Sequence, residues 1–580
     1  MVEEDKKENS QLAKIEADKI EEEILLALKS GKSLLVEAGA GAGKTYSLNR
    51  VIDWLQTNKW EDFKKKKQQV ACVTYTNAAV EVIKRRLKND SFIVPSTIHS
   101  FAWRAICQYQ NALKQIISSE GSFKTERTDG SDVYRIEYTL GHRYIEQGIY
   151  YLYHDDVLKL FCRLLDMPKF RQIFADKYPI ILIDEYQDSN KDVVDRFLTH
   201  FISKTTGPQF AFFGDAWQTI YKSSNACGKI EHSNLTVIEK KSNFRSAPQI
   251  VEVLNKLRPK LRQIPAKDNL EGEVVVITCD DYKGVRQTNG YYKDDLNTEE
   301  FTERIRNLQE KICATTQDKA QPKTLMITHK MLAKHQGYDE LLNILDEGLK
   351  KREDPILLFF IDIVEPIFHS LQTSNSRLLF DTLGTNRYPI THKSQKKEWK
   401  LLYNKLITTR EAKAIDVFEC IDNSNLVPIP PKVRELYNQF IQEPDKSYTK
   451  NGTFRAIFNL NYSQFIAARS FLSPDAIFST EHGVKGEEYD NVLFVISRGW
   501  KLYSFDKYVP MMLSPDTDVS ENNREAYERN RNLFYVCCSR PVKRLFIFVS
   551  IPVNSDFRNF LTHLVGNENI LTYEEFMERE

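Results

Sequence analysis

The feature that most constrains this chain is a run of small residues closing on a lysine and a hydroxyl, Ala38-Gly39-Ala40-Gly41-Ala42-Gly43-Lys44-Thr45. Before it stands a short apolar run, Ser33–Leu34–Leu35–Val36. After it Leu48, Val51, Ile52 and Leu55 recur at helical spacing. A buried strand that passes through a glycine loop into a helix turns backbone N–H groups and a helix N-terminus toward one point, which suits an anion. In this pattern Lys44 reaches the β- and γ-phosphates and Thr45 offers its hydroxyl to Mg2+. Ala38 stands where the strict pattern has glycine. The first expectation is therefore an α/β phosphate-binding unit.

Other apolar runs read as strands: Val70–Thr74, Ile180–Ile183, Phe210–Phe213, Val274–Ile277, Leu325–Thr328, Val492–Ile496 and Leu545–Val549. Alternating with helical stretches, they suit parallel sheets covered on both faces. Ile180–Ile183 runs directly into Asp184-Glu185-Tyr186-Gln187-Asp188. Adjacent carboxylates at the end of a buried strand are costly unless something uses them. Asp184 suits a Mg2+ ligand, and Glu185 a group that orients and deprotonates an attacking water.

Composition excludes more than it selects. The 580 residues carry a net charge of +1, so a uniformly basic nucleic-acid binder is excluded, though a basic groove is not. No apolar run approaches the ~20 residues of a membrane helix. The charged stretch Met1–Glu23 lacks a signal core, so a cytoplasmic protein with no membrane partner is expected. Nine dispersed cysteines without a CxxC pair argue for reduced thiols rather than disulfides or a zinc finger.

With its acidic box, Asp184-Glu185-Tyr186-Gln187-Asp188, the chain resembles the UvrD/Rep-type helicases of superfamily 1, and the motifs follow the family order from Ala38 to Arg540. The Ala-Gly-Ala-Gly opening of the phosphate loop is a form this family uses. Val73-Thr74-Tyr75-Thr76-Asn77 resembles a DNA-contact motif, which implies base stacking on Tyr75 and backbone contacts from Thr76 and Asn77. Thr97-Ile98-His99-Ser100-Phe101 resembles the next strand-contacting segment, placing Thr97 and His99 near DNA. Gly214-Asp215-Ala216-Trp217-Gln218-Thr219-Ile220-Tyr221 resembles the motif linking phosphate to DNA. There Gln218 would sense the γ-phosphate and Tyr221 would face the bases. Asn243-Phe244-Arg245-Ser246 resembles the motif that brings an arginine, Arg245, to the γ-phosphate and an aromatic, Phe244, onto adenine. In Thr480–Tyr489 the resemblance places Glu488 on the ribose and His482 near DNA, and in Leu533–Arg540 it makes Arg540 a second arginine finger.

Taken singly, Arg245 reads as a surface ion pair, Tyr75 as core, the histidines as structural and Arg540 as a helix cap; order and spacing favour the functional reading. The chain also departs from the family pattern. Ile20, or the poorly fitting Gln11, stands near the usual adenine-reading glutamine. Tyr46 replaces a frequent arginine, Ser223 a tryptophan, and Cys537 a smaller residue.

The resemblance implies two RecA-like P-loop domains, each with a mostly helical insertion. Domain 1A would comprise 1–106 and 151–222 around insertion 1B (107–150). Domain 2A would comprise 223–334 and 471–580 around insertion 2B (335–470). It implies an ATP- and Mg2+-dependent helicase or translocase on single-stranded or partly duplex DNA, moving 3′ to 5′. Compact helicases of this type also serve beside an OLD-type nuclease in bacterial anti-phage systems such as Gabija. The alternative function is therefore a nucleotide- and DNA-sensing subunit that gates a partner nuclease.

Overall fold

A computed structural model describes residues 2–87, 92–125, 128–139, 143–220, 225–267, 270–288, 293–316, 320–326, 333, 336–346, 348–349, 354–373, 397, 401, 404–424, 427–442, 453–472, 478–480, 486–498, 503–515 and 519–579. They form two compact units, one of Met1–Gly284 with Glu481–Glu580 and the other of Val285–Thr480.

The first unit is built on a six-stranded, wholly parallel sheet. Its strands are β1 (Leu34–Ala38), β2 (Val70–Thr74), β3 (Ile93–Thr97), β7 (Ile180–Asp184), β8 (Gln209–Gly214) and β9 (Thr236–Lys240), in the order β3-β2-β7-β8-β1-β9. Successive side chains of a strand point to opposite faces. Leu35, Val73, Ile181, Ile183, Phe210 and Phe212 enter one core. Leu34, Val36, Cys72, Leu182, Ala211 and Phe213 enter the other. Both faces being covered, the central strands need apolar residues along most of their length, which is why they read as apolar runs. The two edge strands give no such run. In β3 residues 94 and 97 are only half-buried and Pro95 is tolerated, while in β9 Val237 and Glu239 face solvent.

Helix α1 (Val2–Lys29) brings Ile20, Ile24, Ala27 and Leu28 onto this sheet. Helix α2 (Lys44–Asn58) buries Leu48, Val51, Ile52 and Leu55, the spacing expected. Beyond β9 come a short pair, β10 (Ser242–Asn243) with β11 (Ile264–Pro265), and a second parallel array. There β15 (Tyr489–Ile496), β16 (Pro541–Val549), β12 (Glu273–Thr278) and β17 (Ile570–Thr572) lie side by side in that order.

The region 107–150 differs from a mostly helical insertion. One helix, Gln110–Ser119, precedes a three-stranded sheet of β4 (Arg135–Tyr138), β6 (Ile149–Leu152) and β5 (Tyr144–Glu146). Tyrosines and isoleucines favour the pleated surface. Asp129 closes the preceding turn by accepting from Ser131 N at 3.0 Å.

In the second unit β13 (Lys323–Met326) pairs with β14 (Phe478–Thr480). The described part of 335–470 is helical apart from turns and one isolated bridge, Lys413 to Asn461. Its helices pack around Phe360, Phe418, Phe458, Tyr462 and Phe465. Of the expected strand Leu325–Thr328, Ile327 and Thr328 lie outside the described residues. All nine cysteines are free thiols. Among the described residues no helix is long and apolar enough to cross a membrane.

Candidate active site

Because the strands of the first sheet are parallel, the loops that follow them gather at one edge, where open α/β sheets place their ligands. The phosphate loop leaves β1, the acidic box leaves β7, and Gly214–Gln218 leaves β8 between them. Gly41 and Gly43 hold positive φ of 73° and 78°, and α2 starts at Lys44. Thr45 is exposed at that helix start. Lys44 Nζ lies 3.1 Å from Glu185 Oε2. Burial disfavours the Lys44 charge, but Glu185, Asp215 and Asp184 together hold its pKa above the usual lysine value.

Glu185 itself sits at φ 48°, a left-handed conformation that a non-glycine residue adopts at a cost. Asp184 Oδ1 accepts the Glu185 N–H at 3.1 Å, and Gln187 donates to Glu185 Oε2 at 2.6 Å. Gln187 Oε1 accepts from Asp215 N at 3.1 Å. Buried Asp215 accepts the Gln218 side-chain amide at 2.7 Å, and Gln218 Oε1 accepts from Arg540 at 3.0 Å. A continuous chain of polar contacts thus runs from Lys44 to Arg540 through Glu185, Gln187, Asp215 and Gln218.

Arg540 is 1% exposed. Its guanidinium also donates to the carbonyls of Val536 and Glu487 and to Ser539. Burial, with Arg245 nearby, holds its pKa down to about 10, while Glu185 opposes the shift. Arg245 donates to Glu488 at 2.8 Å and to the Ser539 carbonyl at 3.1 Å. Glu488, read from sequence as a ribose contact, is here the ion-pair partner of Arg245.

Two residues of this site, Gln263 and Arg258, carried no sequence signal. Asn243 and Gln263 both donate to the Ala40 carbonyl, at 3.0 and 2.9 Å. Phe244, partly exposed, donates its N–H to Gly41 O at 2.9 Å. Ala40 N donates to the Tyr535 hydroxyl at 3.2 Å. Arg258 bridges Glu37 and Asp215.

Tyr75, Thr76 and Asn77 lie just beyond β2 and are exposed, beside Thr97 at the end of β3. Partial burial of the otherwise exposed Tyr75 raises its pKa, with Asp188 adding to the effect. Thr76 and Thr97 have a local duty as well, each accepting from the first turn of the helix it opens. His99 stacks on His154 with ring centroids 3.5 Å apart, and His154 Nδ1 meets the Tyr138 hydroxyl at 2.5 Å. Tyr221 and His482 fall outside the described residues.

Thr45 and Asp184 offer hard oxygen donors at the same sheet edge, a donor set that suits Mg2+. Their acidic surroundings suit a cation as well, since Asp184, Glu185 and Asp215 all act on Lys44.

A small-residue loop, its lysine, an acidic strand end and buried arginines define a P-loop nucleotide-binding domain. Residues 21–224 match the family described as AAA domain, in keeping with the UvrD/Rep-type resemblance. At full length the chain is similar to Gabija protein GajB of Bacillus cereus (strain HuB5-5), 25% identical over 94% of this chain and 96% of that protein. It is also similar to Gabija protein GajB of Bacillus cereus (strain VD045), 29% identical over 44% of this chain and 52% of that one. A short stretch, 16% of this chain and 9% of the relative, is 33% identical to RecBCD enzyme subunit RecB of Chlamydia pneumoniae.

Proposed function

We propose that the chain is an ATP-dependent DNA helicase or translocase on single-stranded or partly duplex DNA, moving 3′ to 5′ and working in anti-phage defence. The observation that carries the reading is the polar chain from Lys44 to Arg540, which ties the phosphate loop to the segment 533–540. In this reading 1–106 with 151–222, and 223–334 with 471–580, are two RecA-like motor domains, and 107–150 and 335–470 are their insertions.

Phosphoryl transfer requires charge neutralisation and positioning more than covalent chemistry. The phosphate loop, Ala38 to Thr45, cradles the triphosphate, and Lys44 turns from Glu185 toward the γ-phosphate. Glu185 then accepts a proton from the attacking water as the bond to the β–γ bridging oxygen breaks. Gln218 holds its place between Asp215 and Arg540, so occupancy at the phosphate is felt at Arg540. Arg245 and Arg540 balance the developing negative charge. Phe244 packs on the base, and Glu488 meets the ribose once released from Arg245. Mg2+, held by Thr45 and Asp184, would neutralise the β- and γ-oxygens. Tyr75, Thr76, Asn77, Thr97 and His99, joined by Tyr221 and His482, grip the strand. Stacking is sequence-tolerant, as a motor requires.

The likeness to a Gabija protein across 94% of the chain favours a second reading of the same chemistry, a DNA-sensing subunit that gates an OLD-type nuclease partner. A strand-displacement assay decides. Unwinding by the isolated protein, lost in Lys44→Ala, supports the helicase. DNA-stimulated ATP hydrolysis without displacement, with activity of a copurifying nuclease changed by nucleotide, supports the sensor. Absence of both ATP hydrolysis and single-strand binding refutes both.

A further inference from the structure

Arg258 belongs to none of the recognised motifs, yet it is buried at the centre of the site. It caps the C-terminus of the helix Pro248–Leu257, which begins two residues after Ser246. Two different nitrogens of its guanidinium reach two different strand ends of the first sheet, Glu37 of β1 and Asp215 after β8, each at 2.7 Å. Both carboxylates already hold backbone or side-chain donors. Glu37 accepts the Tyr186 hydroxyl at 2.6 Å and Ala216 N at 3.1 Å. Asp215 accepts Trp217 N at 3.0 Å and the Gln218 amide at 2.7 Å.

Strands β1 and β8 are neighbours, with Glu37 paired in register to Gly214. Two carboxylates so placed repel unless a cation lies between them. The loop that follows Arg258 also touches the phosphate loop, through Gln263 to the Ala40 carbonyl. Asn255 locks that loop by exchanging two hydrogen bonds with the Gln263 backbone, at 2.6 and 2.9 Å. The segment 255–263 therefore grips β1 and its loop on both sides of Gly39.

We propose that Arg258 is a positioning residue for ATP hydrolysis, fixing Asp215 so that Gln218 presents its amide oxygen to Arg540. The logic lies in the amide. Gln218 has one donor end and one acceptor end. The Asp215 carboxylate takes the NH2 end, which leaves Oε1 for Arg540. If Asp215 shifts, the amide is free to turn and the contact to Arg540 is lost. Trp217, whose ring lies 5.2 Å from the Arg258 guanidinium and 4.1 Å from that of Arg531, packs against the fork and limits its movement.

This inference rests on the ATPase reading above. The test compares steady-state ATP hydrolysis with single-stranded DNA for wild type, Arg258→Lys, Gln218→Ala and the double variant. A lysine keeps the charge and the fold but cannot fork to two carboxylates. Arg258→Lys is expected to lower kcat about tenfold or more, with KM for ATP and the melting temperature little changed. Added to Gln218→Ala, it should cause no further loss, since both act through one contact. Unchanged kcat in Arg258→Lys, or losses that simply multiply in the double variant, would overturn the assignment while leaving the ATPase reading intact. A wild-type protein without DNA-stimulated hydrolysis would overturn both.

Discussion

Replacing Gly41 by alanine tests the docking of Asn243–Arg245 on the phosphate loop. Two costs can be worked from the geometry. Gly41 has φ 73°, where an added Cβ costs about 1–2 kcal/mol. That Cβ would also lie 2.7 Å from Asn243 Oδ1 and 2.8 Å from Arg245 Cβ. Ordinary contact begins near 3.4 Å, so Asn243 must retreat by about 0.7 Å. Asn243 is fully buried and donates to Ala40 O at 3.0 Å, so such a retreat breaks this bond. Gln263 still donates to Ala40 O, so the loss is that of one hydrogen bond, about 0.5–1.5 kcal/mol. Together the docked arrangement loses about 1.5–3.5 kcal/mol. If hydrolysis proceeds from it, DNA-stimulated kcat/KM falls roughly tenfold to a few hundredfold. Gly31→Ala is the control. Gly31 has nearly the same φ, 72°, and an alanine Cβ there would meet nothing within 4 Å. It should carry the strain alone and leave ATP turnover unchanged. Turnover in Gly41→Ala within about threefold of wild type, with the fold intact, would refute the argument that this contact is used.

Buried charge supplies two more tests. Lys240 Nζ lies 2.6 Å from Glu21 and 2.5 Å from Ser47 Oγ, all three buried beneath the first turn of α2. Lys240→Met strands the carboxylate and should destabilise the unit by about 3–5 kcal/mol, seen as a lower melting midpoint that Glu21→Gln partly restores; a wild-type midpoint in Lys240→Met would contradict it. The His99–His154 stack should make the protein acid-sensitive. Burial, then His154, lowers the His99 pKa to about 4, and burial lowers that of His154 against Asp155. The unfolded chain, with histidines near 6.5, takes up protons first, so this contribution is complete above about pH 6.5 and is lost as pH falls toward 4. Melting curves across that range should slope less steeply in His99→Gln, and equal slopes would show that the pair is not responsible.

The sequence by itself determined the parts whose physics is local. A strand buried on both faces must be apolar along most of its length, so the central strands were legible, and their positions agree within a few residues. The phosphate loop was legible because its chemistry sits in consecutive residues, and the acidic box because two carboxylates end an apolar strand. The edge strands β3 and β9 were missed because half-exposed strands lack that run. The small sheet at 135–152 was missed because its strands are only three or four residues long.

What only the tertiary structure decided is which distant groups meet. Arg258 reads as one charged residue among 81 lysines and arginines, and nothing near it in sequence marks it out. Its partners lie 221 and 43 residues away. Glu37 likewise reads as a polar interruption in β1 until Tyr186, Ala216 and Arg258 converge on it. Thr76 and Thr97, singled out as strand contacts, prove also to cap helices, a duty that depends on backbone angles. Local periodicity reports the surface a residue must face, because burial acts on each side chain in turn. It carries no record of the partner across a cleft, because that pairing exists only once parallel strands have brought their ends to one edge.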